Sequence, residues 1–70
     1  NFDVNLLEFY QIMIFDRYGN RIFYSTDPLI PWNGYFNNRS VEMGVYTFLI
    51  RYKVKSENIK VIKGDITVVK

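Results

Sequence analysis

An all-β fold, built as a small antiparallel sandwich, is predicted by three features of this 70-residue sequence. Apolar residues recur at every second position of the longest apolar run, no segment carries the 3.6-residue period of an amphipathic helix, and turns rich in glycine and asparagine punctuate the chain. The alternation is plainest in "GVYTFLIRYKVK", where Tyr46, Phe48, Ile50, Tyr52 and Val54 share one parity and Val45, Thr47, Leu49, Arg51, Lys53 and Lys55 the other. Successive side chains of a strand point to opposite faces, so this run has one apolar face and one basic face. Short strands joined by such turns pack as two layers, and the expected architecture is of immunoglobulin-like type.

Taken in order, residues 2–6 alternate apolar with polar and predict a short strand. Residues 10–15 and 21–25 predict a hairpin around "DRYGN". Asp16 is suited to cap that turn by accepting backbone N–H groups, Gly19 to take the positive φ of a bulged type I turn, and Asn20 to tolerate the exit. Arg17 and Tyr18 exceed what reversing the chain requires. Either they pack over a ring such as Trp32, with the guanidinium pairing a carboxylate, or they form a recognition surface, since exposed Arg and Tyr side chains carry binding energy at interfaces. Residues 26–43 hold both prolines, "WNG" and "NNRS", and read as loop with one or two short strands. Residues 44–55 and 59–70, separated by Ser56-Glu57-Asn58, predict a long C-terminal hairpin.

Composition narrows the function. The chain has no cysteine and no histidine, which removes thiolate and imidazole from both catalysis and metal binding. Ser25, Ser40 and Ser56 lie in or near turns with no partner signalled, the seven carboxylates are scattered, and no calcium-loop motif is present. A non-enzymatic domain without metal or cofactor is expected. Thirteen aromatic residues supply its core in place of disulfides. No run approaches the ~20 apolar residues of a membrane span, and the N-terminus lacks the basic and apolar regions of a signal peptide, so an export address is expected elsewhere.

Charge is uneven. Residues 1–35 carry two Arg against four acids, and residues 36–70 carry seven basic residues against three acids. Lysines on a solvated strand face discourage edge pairing, which explains the bias without an anionic partner. Nucleic-acid binding would need the tyrosines beside the basic residues, and the strand parity sends Tyr46 and Tyr52 to the opposite side from Arg51 and Lys53. Trp32 is either a core plug or, with Tyr35, an exposed stacking platform of a cell-surface adhesion or carbohydrate-binding module.

The motifs "DRYGN", "PWNG", "VEMGVY" and "IKGDITVVK" occur in one order, from about Phe9 to Lys70. In order and spacing they resemble the C-terminal sorting domain, type B, of type IX secretion cargo, the gliding motility-associated C-terminal domain of the Bacteroidota. That family's pattern favours Asn, Trp and Asp where this chain has Asp16, Tyr18 and Asn33. The resemblance implies one domain over residues 1–70, short of its first few residues and of an upstream cargo. It implies a sorting signal that folds in the periplasm and takes its cargo across the outer membrane, to be secreted or held at the cell surface. The implied partners are outer-membrane barrel proteins of the type IX system, of the shuttle or PorP/SprF-like kind, and the outer-membrane translocon. Carried onto this chain, the structural motif positions are Asp16, Gly19, Trp32, Gly34, Gly44, Tyr46 and Gly64. Candidate partner-binding residues are Arg17 and Tyr18 in the turn and Ile66, Val68, Val69 and Lys70 in the last strand, where strand addition to an open edge would be read by main-chain hydrogen bonds.

Overall fold

The computed structural model describes residues 6–69, so most of the expected strand over residues 2–6, and Lys70, lie outside the described residues. Six strands follow: β1 (Leu7–Phe15), β2 (Arg21–Ser25), β3 (Tyr35–Phe36), β4 (Arg39–Ser40), β5 (Gly44–Val54) and β6 (Lys60–Val68). All pairings are antiparallel, and the main sheet has the order β2-β1-β5-β6. The class is all-β as expected. The second layer of the sandwich is a slight one, formed by residues 26–43 with the two-stranded β3-β4 sheet.

Register follows from the period-two pattern. Ile12, Ile14, Phe48, Ile50, Ile62 and Ile66 fall on one face through the pairs Ile14↔Phe48, Ile12↔Ile50, Ile50↔Ile62 and Tyr46↔Ile66. A bulge sets Ile14 opposite Phe23 and Phe15 opposite Arg21, leaving Ile22 as the extra residue of β2. Ile22 and Phe23 thereby both join the covered face, where strict alternation would have sent one of them outward. Ile14, Ile22 and Tyr46 form the core, and Trp32 and Val41 of the connecting segment close over it. Because cross-strand partners share a face, this core sits at the end of the sheet nearest the "DRYGN" turn.

The connections use the turn chemistry of their residues. Asn37 and Asn38, both with positive φ, make the two-residue loop between Phe36 and Arg39, a role asparagine tolerates better than other non-glycine residues. Ser56 also takes a positive φ in the β5–β6 connection, where the Glu57 N–H donates to the Val54 carbonyl at 3.0 Å.

Candidate functional site

The turn between β1 and β2 is built around one carboxylate. Asp16 Oδ1 accepts the backbone N–H groups of Tyr18 and Asn20, each at 2.9 Å, and Asp16 Oδ2 accepts the Asn20 side-chain amide at 3.2 Å. The Asp16 N–H donates to the Asn20 carbonyl and the Gly19 N–H to the Asp16 carbonyl, which closes the loop in both directions. Gly19 has φ 86°, a conformation that costs a residue with a Cβ. These donors, Asn20 first, hold the Asp16 carboxyl below its ordinary pKa.

With Asp16 making the turn, Arg17 and Tyr18 are left at its tip. They do not cover Trp32. The Arg17 guanidinium lies 5.0 Å from the centre of the Tyr18 ring, and that ring is 75% exposed. Tyr18, then Glu42 across the cleft, favour the guanidinium's charge. Between the tip and the start of β5 lies a cleft of about 130 Å³, lined by Asp16, Arg17, Tyr18, Glu42, Met43 and Tyr46 among others. Met43 stands exposed beside it.

Trp32 instead packs against Tyr46, with ring centres 5.7 Å apart at 60°, and donates its indole N–H to the Tyr35 carbonyl at 3.1 Å. Tyr46 is buried and donates its hydroxyl to the Glu42 carbonyl at 2.8 Å, so the floor of the cleft is anchored to the core. Asn33 Oδ1 accepts the Tyr35 N–H, and the Gly34 carbonyl accepts the Val41 N–H, which fixes the loop that carries the indole. Gly44 opens β5 opposite Val68. Ile66 and Val68 turn inward against the core, and Val69 is the exposed one of the three. Register thus brings the tip and the end of β6 to one end of the sheet, where Tyr18, Met43, Val45 and Val69 are exposed.

The opposite face carries a feature that one-strand parity misses. Tyrosines of β5 do point away from its cations, but β1 and β2 supply other rings. The Arg51 guanidinium lies 5.9 Å from the centre of the Phe9 ring, and that of Arg21 lies 4.9 Å from Tyr24. Gln11 links the two groups by accepting from Arg51 at 3.3 Å and donating to Tyr24 at 3.2 Å, and Lys53 pairs with Glu8 at 2.6 Å. The cross-strand partners Gln11↔Arg51 and Met13↔Tyr24 were the missing information.

The site thus combines an exposed Arg–Tyr pair on a hydrogen-bonded turn, exposed apolar residues beside it, and a sheet edge, β6, with no strand paired to its outer side among the described residues. No curated protein and no solved structure matches the chain. The model of one protein family, the CHU_C type IX secretion signal domain, matches residues 2–68. Domains of this kind are not a catalytic family, and they mark proteins for export across the outer membrane, to be secreted or displayed at the cell surface. By that match, which spans nearly its whole length, the chain belongs to the CHU_C type IX secretion signal domain family.

Proposed function

We propose that this domain is a single sorting module of a longer cargo protein, without catalytic activity of its own, and that it docks through the end of the sheet that carries the "DRYGN" tip. The observation that supports this is the convergence of Arg17, Tyr18, Met43 and Val69 on one end while Asp16, Gly19 and Asn20 build the turn without the Arg17 and Tyr18 side chains. Arg and Tyr are the side chains that most often dominate binding energy, and a tip held by Asp16 loses little freedom on binding. The proposed readers are outer-membrane barrel proteins of the type IX system, of the shuttle or PorP/SprF-like kind, and the translocon. The surface-adhesion alternative would need an open Trp32 ring, and that ring lies against Tyr46.

The test fuses the domain behind a secreted reporter and compares it with Arg17→Ala/Tyr18→Ala. Because both side chains are exposed and touch chiefly each other, the double variant is expected to melt close to the parent and to leave most of its reporter in the periplasm. A folded double variant exported at the parental rate would remove the tip from the docking surface.

A further inference from the structure

Two strands border the main sheet, and they differ. β2 has five residues and is interrupted by the Ile22 bulge, and both features discourage pairing with another chain. β6 has nine residues in unbroken register with β5, from Gly44↔Val68 to Tyr52↔Lys60, and no strand pairs with its outer side among the described residues. Its charges do little to guard it. Lys60 is compensated by Glu57 at 3.1 Å. Lys63 and Asp65 are both exposed, have no ion-pair partner among the described residues, and flank Gly64 on the open face.

Gly64 is the middle residue of Lys60–Val68. We propose that the β6 edge pairs with the β6 edge of a second copy of this chain, antiparallel about a two-fold axis at Gly64. Directly opposed residues are then Lys63 and Asp65 of the other copy, twice over by symmetry, together with Ile62 and Ile66, and Val61 and Thr67. Each opposed pair is complementary: two ion pairs on the open face, two isoleucine pairs on the covered face. The charge pattern also selects this register. Sliding the strands by two residues opposes Lys63 to Lys63 or Asp65 to Asp65, and a parallel, in-register pairing stacks like charges throughout.

The glycine itself supports the axis. A Cβ at Gly64 would come within 2.7 Å of two ring carbons of Phe48, so that ring lies over the edge strand at its midpoint. A glycine inside a strand weakens it unless a close approach needs the room. In the dimer the two Phe48 rings meet across the paired glycines and cover backbone that would otherwise be bare. Val61 and Ile62, both about half exposed, lose water on the same edge. The result is one continuous eight-stranded sheet whose two docking tips point in opposite directions. This association does not depend on the export role.

The contact is one strand wide and well below the area of a standard stable interface, so dissociation is expected at roughly tens to hundreds of micromolar. Sedimentation velocity of the 70-residue chain over a concentration series up to about 1 mM reads it directly. The parent is expected to dimerise, and Lys63→Asp and Asp65→Lys are each expected to weaken association by about tenfold or more. An equimolar mixture of those two variants, and the double exchange Lys63→Asp/Asp65→Lys, are expected to dimerise again, because opposite charges face each other once more. A parent that stays monomeric across the series, single variants that associate like the parent, or a folded mixture that stays monomeric would overturn the proposal. Should a single variant lose its strand signal in circular dichroism, the double exchange decides: dimerisation at parental strength supports the pairing, and a folded monomer refutes it.

Discussion

Trp32→Ala tests whether the slight second layer holds the sheet. The indole contributes three separable things: a tilted ring contact with Tyr46, a hydrogen bond to the Tyr35 carbonyl, and cover for the cluster of Ile14 and Ile22. The ring pair is worth about 0.5–1.5 kcal/mol, the hydrogen bond about 0.5–1.5 kcal/mol, and the apolar area of a half-buried ring about 1–2 kcal/mol. Truncation should therefore cost about 2–5 kcal/mol. A 70-residue domain has only about 3–10 kcal/mol in all, and one with three well-buried side chains among its described residues belongs near the low end. Urea denaturation gives the reading. With a slope of about 1 kcal/mol per molar for so small a chain, the midpoint should fall by about 2 M or more, or the variant should be unfolded in buffer. The signal must be circular dichroism, since Trp32 is the chain's one tryptophan. Trp32→Phe keeps a ring against Tyr46 and loses the N–H, so its midpoint should lie between the other two. A Trp32→Ala midpoint within about 0.3 M of the parent would show that the sheet does not rely on this layer.

Two further perturbations address the turn. Gly19→Val forces a β-branched residue to φ 86° and should destabilise the domain by more than about 1 kcal/mol, read as a lower urea midpoint; an unchanged midpoint would show that the turn adapts at no cost. Asp16 has a folded-state pKa below its unfolded value of about 3.9, so its contribution is complete above about pH 5 and is lost as pH falls through the ordinary and then the lowered value. Asp16→Asn still presents an oxygen to the two backbone donors but does not titrate, so its stability should fall less steeply than the parent's below about pH 5; parallel curves would show that the carboxylate's charge is immaterial.

Much of this fold is written in local pattern. Alternation alone places β5 to within a residue and β6 to within two, and "DRYGN" between two apolar runs announces a hairpin with Asp16 and Gly19 in recognisable roles. Residues 26–43 read as loop with one or two short strands, and they hold two of two residues each. What local pattern does not carry is register. The contact of Trp32 with Tyr46 spans the sheet's covered end, and nothing in the sequence told whether Arg17 would meet its neighbour Tyr18 or the indole; the fold sets the guanidinium by Tyr18 and gives the indole to Tyr46. The rings beside Arg21 and Arg51 are hidden for the same reason, since each cation meets a ring that only cross-strand pairing or strand geometry brings near. The candidate site was legible as a list of surplus residues, and its convergence with Met43 and Val69 required the topology.

The single extra residue in β2 has a consequence for how the chain finds its fold. A five-residue strand offers few pairings to distinguish a right alignment from a wrong one, yet this strand has consecutive apolar residues, Ile22 and Phe23, that both need cover. Slipping β2 by one position against β1 erases the bulge and turns Phe23 outward. Slipping it by two sets Arg21 or Ser25 against Ile14, the most deeply buried side chain. No shifted alignment satisfies both residues, so the bulge acts as a stop that admits one alignment. The hairpin closes over a five-residue turn and is the most local pairing of the sheet, which suits it to form early and to hand β5 a correctly aligned template.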